Sequence, residues 1–216
     1  MVEPERHDAS GGVIGSRRQP SRIVLATTNR GKLLEIRALL APRGIDVVQV
    51  DTVLPGWTLA EGGTTFAENA RAKAVDVARR TGVPALGDDS GLEVDALGGA
   101  PSIRSARYAG EGATDAMNVA KLLEAMRDVP IGNRRATFRC ALALAWPDGT
   151  VVEVEGRCDG TIALAPRGDG GFGYDPVVVD EATGLTFAEL GADAKNTSSH
   201  RARALAALGA RLERGA

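Results

Sequence analysis

The first patterned stretch of the chain is Ile23-Val24-Leu25-Ala26, a short run without a polar residue. A strand covered on both faces reads this way, whereas a half-exposed strand alternates. Asn29 and Gly31 mark a turn, and Leu33, Ile36, Leu39 and Leu40 then share one face of a helix that Pro42 and Gly44 stop. Ile45 to Val50 is strand-like again, and strand-helix-strand predicts an α/β layer. Trp57 to Gly63 reads as a loop. Thr65-Phe66-Ala67-Glu68 has capping-box spacing and opens a helix expected to run to Arg80 and end at Gly82.

Val83 to Leu86 predicts a short strand, with Asp88-Asp89-Ser90-Gly91 as its turn and Leu92 to Leu97 extended beyond it. Gly98-Gly99-Ala100-Pro101 breaks that segment, and Thr114 caps a third helix reaching Met126. Phe138, Cys140, Leu142, Leu144 and Trp146 alternate along one strand face, and Pro147-Asp148-Gly149 turns the chain into Val151 to Glu155 as a hairpin. Arg157 to Leu164 and Pro176 to Val179 read as further strands. Ser198 or Ser199 caps a last helix with Leu205, Leu208 and Leu212 on one stripe. Buried parallel-type strands together with a hairpin predict a mixed sheet flanked by helices. Residues 1–21 are polar and rich in Gly, Ser and Arg, which predicts a disordered extension ahead of one domain over residues 22–212.

Composition narrows the function classes. The chain has 216 residues, 44% hydrophobic and 25% charged, enough for a core without disulfide staples. A net charge of −2 gives no global basic field for a nucleic acid, yet a local positive pocket suffices for a small anion. Cys140 and Cys158 lack partner histidines at metal-site spacing and read as reduced, buried thiols. The first twenty residues lack a signal-peptide core, Glu3, Glu5 and Asp8 oppose a transit peptide, and no apolar run is long enough for a membrane span. A cytoplasmic protein is expected.

Five polar loops at the ends of strands or the starts of helices carry the candidate chemistry. Thr27-Thr28-Asn29-Arg30-Gly31-Lys32 leads into a helix, where backbone amides and Lys32 attract phosphate. It is not a Walker A loop, because Ala26 and Leu33 stand where a glycine and a Ser/Thr are needed. Glu61 precedes the helix bearing Glu68, Asn69 and Lys73; Glu68 has a capping role, and Lys73 alone reads as a solvated lysine. Asp88 and Asp89 are adjacent carboxylates after a buried strand, costly unless a cation or hydrogen bonds compensate. Magnesium accepts one or two such carboxylates with phosphate oxygens and waters, but an acidic solvated turn fits the same residues. Gly168, Gly170 and Gly173 match a dinucleotide fingerprint formally, but Pro176 and the valines after it continue as a strand, not the helix that motif requires. Phe172 and Tyr174 in that loop suit stacking on a base or anchoring a turn. Lys195 and Ser198-Ser199 lead into the last helix, which His200 and Arg201 begin; that pair reads either as ordinary first-turn residues or as donors to a base edge or to phosphate.

Taken in this order, the loops resemble the inosine triphosphate pyrophosphatase family, which removes non-canonical purine nucleoside triphosphates. The resemblance spans Arg22 to Leu212 and is most specific in Asp88 to Asp95, in Gly98-Gly99-Ala100-Pro101 with Ser105-Ala106-Arg107-Tyr108, in Gly170 to Pro176 and in Ser199-His200-Arg201. It implies an elongated mixed sheet, two lobes with a cleft between them, a homodimer and dependence on Mg2+. It also implies roles: Thr27, Thr28, Asn29, Arg30, Gly31 and Lys32 on the triphosphate; Glu61 and Asp89 on the metal, with Asp89 as the base for water; and Ser90 and Lys73 on the substrate. Phe172, Gly173, Tyr174, Asp175, Lys195, His200 and Arg201 would hold base and sugar. Thr28 departs mildly from the family, which often has a smaller residue there. The implied products are the monophosphate and pyrophosphate from ITP, dITP, XTP or dXTP. The alternatives are a pyrophosphatase for other modified or canonical nucleotides and a nucleotide sensor without turnover; clustered carboxylates favour hydrolysis over plain anion binding.

Overall fold

In the computed structural model, which describes residues 19–59 and 62–214, six strands form one sheet. They are β1 (Arg22–Ala26), β2 (Asp46–Gln49), β3 (Ala85–Val94), β4 (Arg135–Ala145), β5 (Val151–Ile162) and β6 (Val178–Asp180). The spatial order is β2-β1-β3-β4-β5-β6. β1 is parallel to both β2 and β3; β3, β4, β5 and β6 pair antiparallel in succession. The helices are α1 (Arg30–Leu40), α2 (Val50–Val53), α3 (Phe66–Thr81), α4 (Asp115–Ala125), α5 (Ala192–Ser198) and α6 (His200–Glu213). The mixed α/β sheet expected from the sequence is present. The disordered extension expected over residues 1–21 lies almost wholly outside the described residues, as does Glu61. No helix among the described residues is long and apolar enough to cross a membrane.

The apolar stripes pack as their periods require. Leu33, Ile36 and Leu40 of α1 and Leu205, Leu208 and Leu212 of α6 meet Cys140, Leu142 and Leu144 on one face of β4. On the opposite face, Ala141, Ala143 and Ala145 are small, and α3 packs there through Ala70, Ala74 and Val77. The far ends of the long strands build a third cluster, in which Leu92, Val94, Phe138 and Cys158 meet Val119 and Leu122 of α4. β3 and β4 therefore pass from the first two clusters into the third, and residues 88–91 lie where the cores meet. Both cysteines are buried and free.

Several boundaries differ from the sequence reading. Asp88-Asp89-Ser90-Gly91 is not a turn: β3 runs straight through, with Asp88 opposite Leu142 and Asp89 opposite Ala141. The two strands expected at Val151 to Glu155 and Arg157 to Leu164 are one, β5. In both places a glycine that reads as punctuation is instead a point of close approach. A β-carbon on Gly87 would lie 2.0 Å from the Ala70 carbonyl oxygen, and one on Gly156 would lie 2.2 Å from that of His200. Helices α3 and α6 thus rest directly on the sheet. Thr65 caps α3 by accepting the Glu68 amide, but the Glu68 carboxylate takes the amide of Thr64, not Thr65, so the reciprocal half of the box is shifted by one residue. β2 stops at Gln49 because Val50 opens α2, and β6 starts only at Val178, after a turn from Tyr174 to Val177. Ser199 caps α6 by accepting the Ala202 amide. Helix α5 was not foreseen; its polar sequence carries no apolar period.

Candidate active site

A cleft of about 510 Å³ opens where the cores meet. Its walls gather distant parts of the chain, among them the β1–α1 turn, α3, the middle of β3, the glycine-rich loop and the α5–α6 junction. Thr27, Thr28, Asn29, Lys32, Lys73, Asp89 and Ser90 line it, and so do Phe172, Gly173, Tyr174, Asp175, Lys195, His200 and Arg201. Of the other residues singled out in the sequence, Arg30 and Gly31 do not line it, though Gly31 supports the ring of Phe172.

One end of the cleft is built from α1, α3 and β3. Asn29 caps α1 by accepting the Lys32 amide at 3.0 Å. Asp89 is 6% exposed; Lys73 Nζ lies 2.8 Å from its Oδ1, and Asn69 Nδ2 donates to its Oδ2 at 3.1 Å. Lys73 and Asn69 share the buried face of α3 with Phe66, Ala70 and Ala74, which brings both side chains onto the sheet. A polar residue on an apolar stripe was the signal that would have found Asn69 and favoured a buried role for Lys73.

Asp88 does not share the environment of its neighbour. It is fully buried, with Lys32 Nζ at 2.6 Å and Arg201 Nε at 2.7 Å, and Ser90 Oγ donates a short hydrogen bond to it. Burial opposes its charge, but Arg201 and Lys32 outweigh that and hold the carboxyl well below the usual carboxylate range. The two adjacent acids of the sequence therefore separate by strand alternation. One is locked into an internal ion network, and the other faces the cleft.

The network extends through Glu35, a residue the sequence reading passed over because a glutamate three positions after Lys32 reads as a solvated helix charge. Its carboxylate bridges Lys195, 2.6 Å away, and Arg201. Lys195 also pairs with Asp175, whose carboxylate accepts the Phe172 amide at 2.8 Å. Burial raises the Asp175 pKa despite Lys195 beside it. Arg201 is 1% exposed, and each of its three nitrogens is engaged by a protein oxygen, of Asp88, Glu35 or Ser90. The guanidinium, expected from sequence to donate to substrate, thus joins β3, α1 and α6 while it lines the cleft.

His200 lies at the other end, 6% exposed and stacked on Phe138 with ring centroids 4.8 Å apart. Burial, followed by the charge of Arg201, pushes its pKa well below the ordinary imidazole range, so the ring is neutral at neutral pH. Its Nδ1 is buried without a hydrogen-bond partner. Such an atom costs free energy unless a ligand meets it. The Phe172 ring, from the glycine-rich loop, lies against Gly31 at the start of α1, with Lys195 Nζ 4.9 Å and the Arg201 guanidinium carbon 5.8 Å from its centroid. The residues between Ser102 and Asn118 close the far wall; the sequence marked Ser105-Ala106-Arg107-Tyr108 there as part of the resemblance but gave them no role, and Ser105, Asp115 and Asn118 line the cleft from there.

The cleft thus combines Lys32, Lys73 and Asp89 from α1, α3 and β3 with the Phe172 ring and the neutral His200 imidazole from the glycine-rich loop and the α5–α6 junction. Among the described residues no cluster of three His, Cys, Asp or Glu stands ready for a metal ion. Among the described residues Asp89 is the carboxylate that β3 turns toward the cleft, which suits a cation whose other ligands are phosphate oxygens and water.

Comparison with known proteins agrees with this geometry. The model of the Ham1 family matches residues 23–211. A dITP/XTP pyrophosphatase of Geobacillus kaustophilus is 53% identical over 86% of this chain and 91% of its own length. The structure of a HAM1 protein from Coxiella burnetii superposes with a TM-score of 0.79 at 41% identity, covering 89% of this chain and 98% of that one. The Staphylococcus aureus Ham1 protein gives a TM-score of 0.78 at 37% identity over the same shares. The chain belongs to the Ham1 family.

Proposed function

We propose that this protein hydrolyses non-canonical purine nucleoside triphosphates, such as ITP, dITP, XTP and dXTP, to the monophosphate and pyrophosphate. The observation that carries the reading is the division of a single cleft between a phosphate end and a base end. The triphosphate lies along Thr27 to Lys32, with Ser90 and Lys73 beside it, and the purine lies between Phe172 and His200. The 53% identical dITP/XTP pyrophosphatase supports the same substrate class.

The roles follow from the surroundings. Asp88 holds Lys32 toward the cleft and cannot serve a metal without breaking two buried ion pairs. Asp89 is then the described carboxylate that orients the attacking water toward the α-phosphorus, and Asn69 and Lys73 fix its rotamer. Asp89, with Glu61 as its expected companion, would hold Mg2+, which when bound supplies neutralisation of charge on the phosphate oxygens. Lys73 supplies fixed positive charge to the same oxygens.

Base choice follows from His200. Its ring, neutral at neutral pH, donates its single N–H to the position-6 oxygen of hypoxanthine or xanthine. Adenine presents an amino group there and leaves the buried donor unmet. A site of this kind discriminates by roughly 10⁴-fold. The reading is tested by pyrophosphate release from ITP, dITP, XTP and ATP, with magnesium and with a chelator; orthophosphate as the product, or undiminished turnover in the chelator, would contradict it.

Gly31 has a role in this arrangement that composition alone would not suggest. A β-carbon there would lie 2.6–2.9 Å from three ring carbons of Phe172, so Gly31→Ala forces the ring to move. Because alanine is the better helix former, the variant is expected to match or exceed wild type in thermal stability. Its KM for every purine triphosphate should rise about 3- to 10-fold, as loss of part of one stacking contact implies. Steady-state kinetics beside a melting curve checks both halves.

A further inference from the structure

The glycine-rich loop is held from both walls of the cleft. On one side the Phe172 amide donates to Asp175, itself paired with Lys195. On the other side the next amide, that of Gly173, donates to Asp115 Oδ2 at 2.7 Å. One residue further on, the Tyr174 hydroxyl donates to the Ser105 carbonyl at 2.9 Å. Consecutive peptides of one loop are thus tied to opposite sides of the site. The Cα of Phe172, from which the ring projects, lies between the two tied peptides.

Asp115 is the first residue of α4, but the helix does not need its side chain as a cap. Thr114 already accepts the Met117 amide. The Asp115 carboxylate is exposed and lines the cleft, and it reaches 58 positions along the chain to Gly173. The wall behind it is firm. Asn118 is 2% exposed, accepts the Ala109 amide at 2.8 Å and donates to the Ala106 carbonyl at 3.1 Å. Asp115 therefore presents its oxygen from a braced support, and Gly173 meets it in a left-handed conformation (φ 63°).

We propose that Asp115 is a positioning residue for the purine: its carboxylate clasps the Gly173 amide and holds Phe172 in the orientation that stacks on the base. The proposal rests on the assignment of Phe172 to the base end of the cleft. The clasp acts on the base through the Phe172 ring and not on the reacting phosphate, so the effect is expected on KM and not on kcat. All purine triphosphates are affected alike, because stacking ignores the base edge.

The test compares wild type, Asp115→Ala, Asp115→Asn, Phe172→Ala and the Asp115→Ala/Phe172→Ala double variant in steady-state kinetics on dITP and ITP. Asp115→Ala is expected to raise KM about 3- to 10-fold with kcat unchanged, the scale of one hydrogen bond. Asp115→Asn keeps an amide oxygen as acceptor and should return KM to within about 2-fold of wild type. In the double variant the Asp115→Ala effect should vanish, since the clasp acts through Phe172. Asp115→Ala with wild-type KM overturns the proposal. So does Asp115→Asn as impaired as alanine, which would make charge the agent, and so does full additivity in the double variant. A Phe172→Ala protein with unchanged KM would instead overturn the base-end assignment on which the clasp depends.

Discussion

Asp89→Asn is expected to lower kcat by about 10²- to 10⁴-fold while the protein stays folded. The substitution preserves size and one acceptor oxygen, so the hydrogen bond from Asn69 survives. Lys73 Nζ loses the carboxylate 2.8 Å away, which costs about 1–3 kcal/mol. That leaves a domain of this size folded at room temperature. What disappears is the negative charge that orients water and attracts the metal. The measurement is kcat at saturating substrate and magnesium, beside a melting curve. Wild-type turnover in a folded Asp89→Asn protein would remove Asp89 from the chemistry and return the question to its neighbours.

Arg201→Ala is expected to destabilise the protein by about 3–5 kcal/mol, because removing one member of a buried ion network leaves the others uncompensated. Asp88, which is fully buried, would keep Lys32 as its cation, and Glu35 would keep Lys195. For a chain of this length the loss corresponds to a fall in Tm of about 6–20 °C. Arg201→Lys should recover part of it, since an ammonium pairs with one carboxylate but cannot reproduce the fork that reaches both acids and Ser90. Urea unfolding of the two variants checks the order wild type, lysine, alanine. An Arg201→Ala protein as stable as wild type and impaired only in substrate binding would show that the guanidinium belongs to the substrate and not to the scaffold.

These two residues also mark how far the sequence could be read. The loop content from Thr27 to Lys32, at Asp88-Asp89, around Phe172 and at Ser199-His200-Arg201 was enough to nominate one site, and the structure brings nearly all of it to one cleft. What residue type could not supply was direction. Asp88 and Asp89 are chemically identical neighbours, and only their placement inside a strand sends one inward to Arg201 and the other to the cleft. That placement was hidden because Asp-Asp-Ser-Gly has the composition of a turn. The pairing with β4 and the buried cations override the local preference. Gly87 and Gly156 misled in the same way, since a glycine that admits a helix backbone looks in one sequence like a glycine that breaks a strand. Glu35 and Asp115 had no local signal at all: their partners lie 160 and 58 positions away, at Lys195 and Gly173.

The packing of the core was more legible. The stripes of α1 and α6 and the alternation of β4 follow from periodicity and were met in the structure. The alanines on the other face of β4 were equally visible, but their meaning, the close seating of α3, needed the helix in place.

The most direct test of the account is the ratio of kcat/KM for dITP to that for dATP, read by pyrophosphate release at saturating magnesium. The two substrates share sugar and phosphates and differ at the base, so the ratio isolates the base end of the cleft. The account predicts pyrophosphate as the product and a ratio on the order of 10⁴, the scale of a buried donor met by one base and left unmet by the other. A ratio near one would contradict it.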